Sequence, residues 1–330
     1  MASRHDELPS RVGTEFVNEP CGDAAGKSAK AGRLRQRSGR ACYPELRRAP
    51  ANFRIQKFPR VPHLRRTVIE PPAAAPAIPR FNVLGVSVSA MNLRIATEAI
   101  LEAARAKRKG YICVTGVHGV TEAQDDAGFR KILNASFLNT TDGMPLVWLG
   151  RHHIGGKVER VYGPDLMLEM FAATQTVPFR HFFYGGAPGV AEVLKAKLEA
   201  RFPGVQIAGT YTPPFRPLND AEKKELAAQV RAAQPDLMWV GLSTPKQERF
   251  MAEYLPQLDV TLMAGVGAAF DFHSGRVKQA PRWIQRSGFE WLYRMCCEPR
   301  RLARRYLINN PLFLWRIVGQ LSGLRKYPLD

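Results

Sequence analysis

Residues 237–247 read Leu-Met-Trp-Val-Gly-Leu-Ser-Thr-Pro-Lys-Gln. The apolar run 237–240 stops at Gly241, and small residues then lead to Pro245, Lys246 and Gln247. An apolar strand that breaks at glycine into a Ser/Thr loop and then a helix is how open α/β sheets build ligand sites. The crevice lies outside the carboxyl ends of the strands. Three more apolar runs end alike, at Asp142-Gly143, Gly185-Gly186 and Gly265-Val266-Gly267. Four such junctions predict one shared site for a nucleotide-type ligand.

On both sides of this stretch the pattern is regular. Periodicity predicts strands over 81–88, 111–114, 137–140, 181–184, 205–210, 237–241 and 260–264. Between them it predicts helices over 92–106, 127–135, 146–150, 165–175, 190–201, 220–233 and 247–255. Strands alternating with helices imply an α/β fold, a Rossmann-like, mostly parallel sheet with helices on both faces. Right-handed crossovers then bring the strand ends to one edge.

Charge divides the chain into three parts. Residues 1–80 carry 16 Lys/Arg against 7 Asp/Glu, and 276–330 carry 12 against 3, while 81–275 is nearly neutral with 20 against 19. Residues 1–80 mix Arg, Pro, Gly and Ser without period and read as a disordered basic extension. Residues 81–275 read as the α/β core. Residues 276–330 are rich in Arg and aromatics and read as a helical membrane-binding appendage, with the broken apolar stretch 307–324 suited to lying on a bilayer. Basic ends seek polyanions, either an anionic membrane or nucleic acid, but no nucleic-acid reader motif is present. No run of about 18 uncharged apolar residues predicts a spanning helix, and no secretory signal begins the chain. The five cysteines, Cys296 and Cys297 adjacent among them, lack ligand spacing, so we expect a reducing compartment and no structural metal.

Several junction residues carry potential chemistry, and local pattern leaves two readings for most. Asp142 suits a general base at a strand end, or a cap on the next helix, where Pro145 fits the first turn. Arg160 offers a planar fork to a diphosphate, or is a solvated surface charge. Asp165, before Leu166, reads best as an N-cap. Gly185 and Gly186 precede a helix start whose amides suit phosphate, or form a tight turn. Gly241, Ser243, Thr244, Lys246 and Gln247 are not a P-loop, because the four-residue glycine spacing and the Lys-Ser/Thr pair are missing. Asp271, between Phe270 and Phe272, suits reading a base edge or structuring its loop. His118 lies at another strand end and could line the crevice, though a lone histidine is more often structural. No Asp-x-Asp pair and no His/Cys/Asp cluster has metal spacing.

Seven motifs in order now stand together: Thr141-Asp142-Gly143-Met144-Pro145, Arg160-Val161-x-Gly163-x-Asp165, Phe182-x-Tyr184-Gly185-Gly186-x-Pro188-Gly189, Gly241-Leu242-x-x-Pro245-Lys246-Gln247-Glu248, Gly265-Val266-Gly267-Ala268-x-Phe270-Asp271, Ala280-Pro281-x-Trp283 and Gly288-x-Glu290-Trp291-x-Tyr293-Arg294. Over residues 81–305 the chain resembles the WecG/TagA/CpsF family of bacterial glycosyltransferases. The resemblance implies an inverting transfer of a hexose-type sugar from a UDP-sugar to a saccharide on polyprenyl diphosphate, for cell-surface polysaccharide or exopolysaccharide. It implies no metal and no cofactor, with the enzyme peripheral on the cytoplasmic face of the membrane. Asp142 matches the base, and Thr115, Arg160 and Gln247 match residues lining its pocket, Arg160 at the leaving diphosphate. Asp271 matches a position near the uracil, with Tyr211 beside it. Arg294, Arg301, Arg304 and Arg305 belong to the appendage that closes over the donor. An apolar stretch over 312–321 implies firmer membrane attachment than in shorter relatives, and the assembly is open to homo-oligomers.

Overall fold

A computed structural model describes residues 78–329, so the extension expected over 1–80 falls outside it apart from 78–80. The segment 81–88, expected as one strand, is a hairpin. Arg80–Val83 (β1) and Val86–Ser89 (β2) pair antiparallel, with Phe81 opposite Val88. Leu84 and Gly85 make the turn with φ of 53° and 78°, the backbone that matches strand twist in two-residue hairpins. A leucine is a poor signal for left-handed backbone, which hid the turn. Its side chain is fully buried, and burying a leucine contributes about 2 kcal/mol against that strain.

Helix α1 (Leu93–Arg105) starts at Asn92, whose side chain accepts the Ile95 amide at 2.9 Å. Next comes a second feature missing from the sequence reading, α2 (Val117–Asp125). It is short, its N-cap Gly116 supplies no side-chain cap, and apolar periodicity is weak over Val-His-Gly-Val-Thr-Glu-Ala-Gln-Asp. Asp126 then caps α3 (Ala127–Asn134) by accepting the Phe129 amide at 2.8 Å.

Gly110–Thr115 (β3), Leu138–Thr141 (β4), Arg180–Gly185 (β5), Gln206–Tyr211 (β6), Leu237–Gly241 (β7) and Leu262–Gly265 (β8) form one parallel sheet, in the order β4-β3-β8-β7-β5-β6. Ile112, Phe183, Trp239 and Ala264 point into one core layer, closed by α1 with α5 (Gly163–Thr174), α6 (Val190–Arg201) and α9 (Ala269–Ser274). Cys113, Phe182, Tyr184, Val240 and Met263 point into the other, closed by the hairpin, α2, α3, α7 (Asp220–Ala233) and α8 (Lys246–Tyr254). Strands covered on both faces need apolar residues at both parities, hence their continuous apolar runs. Helix α4 (Met144–Ile154) follows β4.

After Gly275 come α10 (Arg282–Ser287), α11 (Glu290–Cys297) and α12 (Pro299–Leu321). They belong to the same compact unit as the sheet. The apolar stretch 312–321 is shared between two duties. Phe313 and Ile317 are buried against α2 and the hairpin core, whereas Leu314, Trp315, Val318 and Leu321 are exposed. The Gln320 side chain accepts the Leu84 amide at 2.8 Å and donates to the Asn82 carbonyl at 3.1 Å. Arg316 donates to the Thr121 carbonyl and to Asp125, at 3.3 and 3.0 Å. No helix among the described residues is long and apolar enough to cross a membrane.

Candidate functional site

Chain order reverses between two neighbouring strands. From β5 the chain passes outward to β6, whereas from β7 it passes the other way to β8. Loops that diverge in this manner open a crevice at the carboxyl edge. At the same place the two loops nearly touch, with the Gly186 amide donating to the Gly241 carbonyl at 3.0 Å. Gly185 and Gly186 both have positive φ, 114° and 80°. A side chain on Gly241 would meet the Phe270 ring at 2.6 Å. All three glycines are therefore required by close packing around the crevice.

Asp142 follows β4, and its amide donates to the Thr115 carbonyl at the end of β3, at 3.0 Å. It caps nothing: the N-cap of α4 is Gly143 and makes no side-chain bond. The residue is half-buried, and its carboxyl group lies on the Gly116 side, where a Cβ would stand 3.4 Å from Oδ2. Burial pushes its pKa up, the Arg160 guanidinium pulls it down, the Glu290 carboxylate pushes it up, and Arg294 with the Gly163 amide pull it down. The net shift is upward. Such a carboxylate is a stronger proton acceptor than one in water.

Arg160 precedes α5 and is held on three sides. Its Nε donates to the Asp142 carbonyl, its Nη2 donates to Glu290 Oε2 at 2.6 Å, and its guanidinium lies 3.9 Å over the Tyr162 ring. The Tyr162 hydroxyl donates to the other Glu290 oxygen at 2.7 Å. Glu290 was not among the residues singled out from sequence, where it appeared only as one letter of a motif. Its placement depends on α11 folding back over a residue 130 positions earlier.

Gln247 is buried at the start of α8 and holds two loops together. It accepts the Gly267 amide at 3.0 Å and donates to Glu248 Oε1 at 2.9 Å. Thr244 Oγ1 donates to the same Glu248 oxygen at 2.9 Å, while burial pushes the Glu248 pKa up. The His118 ring is occupied in tethering α12: Asn309 donates to its Nδ1 at 2.8 Å. Burial and the nearby Arg305 push its pKa down to about 4, so it is neutral at pH 7. Four buried polar atoms in this region have no hydrogen-bond partner within the protein: Thr115 Oγ1, Glu248 Oε2, Arg294 Nε and Arg305 Nε. Buried polar atoms are seldom left so, and these four can pair with polar groups that enter the crevice.

The four appendage arginines divide. Arg294 and Arg305 are partly buried, and each feels the Asp142 charge. Arg301 is exposed and paired with Glu298 at 2.6 Å, and Arg304 is exposed. Asp165 is not an N-cap: Tyr162 holds that position on α5, and Asp165 sits in the first turn, paired with Arg282 at 2.7 Å. Lys246 is exposed at the first turn of α8. Asp271 lies on α9, 3.7 Å from Arg276. Tyr211 stands furthest along the strand order from Asp142. It ends the edge strand β6, five strands from β4, about 24 Å at ordinary spacing. Its ring stacks on Tyr184, at 5.8 Å, within the layer opposite to α9. The structure thus gathers Thr115, Asp142, Arg160, Gln247, Arg294 and Arg305 near β3, β4 and β8, with the glycine loops of β5 and β7 alongside and Tyr211 next to the β5 loop, paired with Tyr184 at the strand end. Among the described residues no group of three or more His, Cys, Asp or Glu is arranged to hold a metal ion.

A basic carboxylate facing several guanidinium groups can take a proton from a hydroxyl while positive charge steadies a departing anion. Comparison with known proteins places the chain in a family. The family model described as "Glycosyl transferase WecG/TagA/CpsF family" matches residues 81–327. A curated relative from Bacillus subtilis (strain 168), N-acetylglucosaminyldiphosphoundecaprenol N-acetyl-beta-D-mannosaminyltransferase, is 30% identical over 202 residues, covering 61% of this chain and 76% of that protein. The match spans the hairpin, the sheet and all three C-terminal helices, so the chain belongs to the glycosyl transferase WecG/TagA/CpsF family and is a glycosyltransferase.

Proposed function

We propose that this enzyme moves a hexose-type sugar from a UDP-sugar to the N-acetylglucosamine of a polyprenyl-diphosphate acceptor, with inversion, and that it needs no metal. The observation that carries this is the Asp142 carboxyl group facing Arg160 and Arg294 at the strand ends. In the transfer, Asp142 takes the proton of the attacking hydroxyl as its oxygen bonds to the anomeric carbon. The bond from that carbon to the diphosphate breaks, and UDP leaves with the electron pair. Arg160, Arg294 and Arg305 stabilise its growing negative charge, the role a fixed cation plays in such transition states. The relative's name specifies a β-linkage, which is what one inversion of an α-linked donor produces. N-acetylmannosamine is accordingly the first donor sugar to try, for a product used in cell-surface polysaccharide.

The test is a panel of UDP-sugars offered with a short-chain prenyl diphosphate N-acetylglucosamine, with and without a chelator. Released UDP and a product heavier by one sugar support the reading. Turnover of no UDP-sugar would refute it, and loss of turnover with chelator would refute metal independence.

We also propose that α12 rests on the cytoplasmic face of an anionic membrane, bringing the crevice to its lipid-linked acceptor. Leu307, Leu314, Val318 and Leu321 form one exposed stripe at helical spacing, and Arg300, Arg301 and Arg304 are exposed near its start. Changing Leu314 and Val318 to Asp removes two apolar contacts with lipid while leaving Phe313 and Ile317 in place. Binding to phosphatidylglycerol vesicles in a sedimentation assay should fall at least about tenfold, since each such side chain contributes roughly 1.5–3 kcal/mol. Unchanged sedimentation would show that another surface makes the contact.

A further inference from the structure

On α11, Glu290 is the buried residue, while Phe289 and Leu292 around it are exposed. A helix that docks for packing alone buries its apolar side chains. This one instead presents a carboxylate to the core, with Arg294 one turn later on the same face. Both Glu290 oxygens are used: Oε2 accepts from Arg160 Nη2 at 2.6 Å and Oε1 from the Tyr162 hydroxyl at 2.7 Å.

We infer that Glu290 is a positioning residue, whose carboxylate clamps the Arg160 guanidinium and the Tyr162 hydroxyl and so fixes the edge that Arg160 turns toward the departing diphosphate. This rests on the transfer reading above. A guanidinium is a planar fork, so direction as well as charge decides what it can hold. Nε is committed to the Asp142 carbonyl, Nη2 to Glu290, and the plane to the Tyr162 ring. Removing Glu290 takes away one of these restraints and frees the group to swing about its stem. The same carboxylate bears on the base. Asp142 is faced by Arg160 and Tyr162 from the segment before α5, by the Gly163 amide at its start, by Glu290 and Arg294 from α11 and by Arg305 from α12. Of these neighbours Glu290 opposes the arginines, so neutralising it lowers the proton affinity of Asp142.

Glu290→Gln keeps the shape and removes the charge, while Glu290→Ala removes the clamp. We expect kcat to fall about tenfold in the first and about a hundredfold in the second, with the KM for the UDP-sugar within about threefold, as misplacement of a reacting group by an ångström costs on that scale. In an Arg160→Ala background, Glu290→Ala should change kcat less than about tenfold, because the arginine it positions is gone and only its charge on Asp142 remains. The infrared carbonyl band of protonated Asp142, identified by its absence in Asp142→Asn, should titrate at lower pH in Glu290→Gln than in the unmodified enzyme. Wild-type kcat in both variants, an unmoved band, or a full loss persisting in the Arg160→Ala background would each overturn the inference. If the unmodified enzyme uses no UDP-sugar, the transfer reading fails, and the band position in Glu290→Gln still decides whether Glu290 governs Asp142.

Discussion

Asp142→Asn should lower kcat by about a thousandfold, within the 10²–10⁴ range of a positioned general base, while binding of UDP to the crevice is retained. Amide and carboxylate have nearly the same shape, so Arg160 keeps its bond to the Asp142 carbonyl and Thr115 its bond to the amide. What is lost is the ability to accept a proton. The pH dependence has a definite sign. The active form is the ionised carboxylate, and burial raises the pKa of Asp142 despite the arginines nearby. The rate therefore falls as pH drops through a pKa above the ordinary carboxylate value, and the residual activity of Asp142→Asn shows no such limb. A calorimetric titration with UDP beside a pH series of kcat/KM checks both parts. Equal turnover in the two proteins would remove Asp142 from the chemistry.

Gly185→Ala should be among the most destabilising single-methyl additions in the crevice. Two effects add. The backbone there has φ of 114°, where an L side chain is strained, at a cost of about 1–3 kcal/mol. The new Cβ would stand 2.7 Å from the Gly241 carbonyl oxygen and 2.8 Å from its carbon. Those are backbone atoms of β7 and cannot rotate aside, and such overpacking costs a further ~1–3 kcal/mol. Together they amount to roughly 2–6 kcal/mol, or a fall in Tm on the order of 10 °C for a domain of this size. Gly189→Ala is the control: its φ is 81°, but nothing lies within 4 Å of the added carbon. It should lose only the backbone share. Thermal unfolding followed by circular dichroism compares them, and equal losses would show that the β5 and β7 loops do not approach as described.

Much of the frame was legible because its signals are local. The helices over 190–201 and 220–233 match the structure residue for residue, since apolar spacing and the Asn219 cap lie within a few positions of the elements they define. The strand 237–241 was equally plain, bounded by Pro235 and Gly241. Where local signals were weak or mixed, the reading failed. The hairpin at 80–89 hid behind a leucine in left-handed backbone, and α2 lacked both a side-chain cap and a clear apolar stripe. Asp165 looked like a cap because the apolar run starts at Leu166, yet the helix begins two residues earlier and the carboxylate is taken by Arg282.

Local pattern was enough for the order of elements, the α/β class and the residues at strand ends, Asp142, Gly185 and Gly241 among them, with Gln247 at the helix start that follows. Period and junction chemistry are written over stretches of a few residues, and a shared carboxyl edge follows from parallel strands. Only the tertiary structure decided which charges meet. It placed Glu290 on Arg160, and turned Arg294 and Arg305 inward while leaving Arg301 and Arg304 outside. Charge interactions depend on distance through space, and α12 packs on α2 and the hairpin while α11 packs on α12, contacts that no local spacing records.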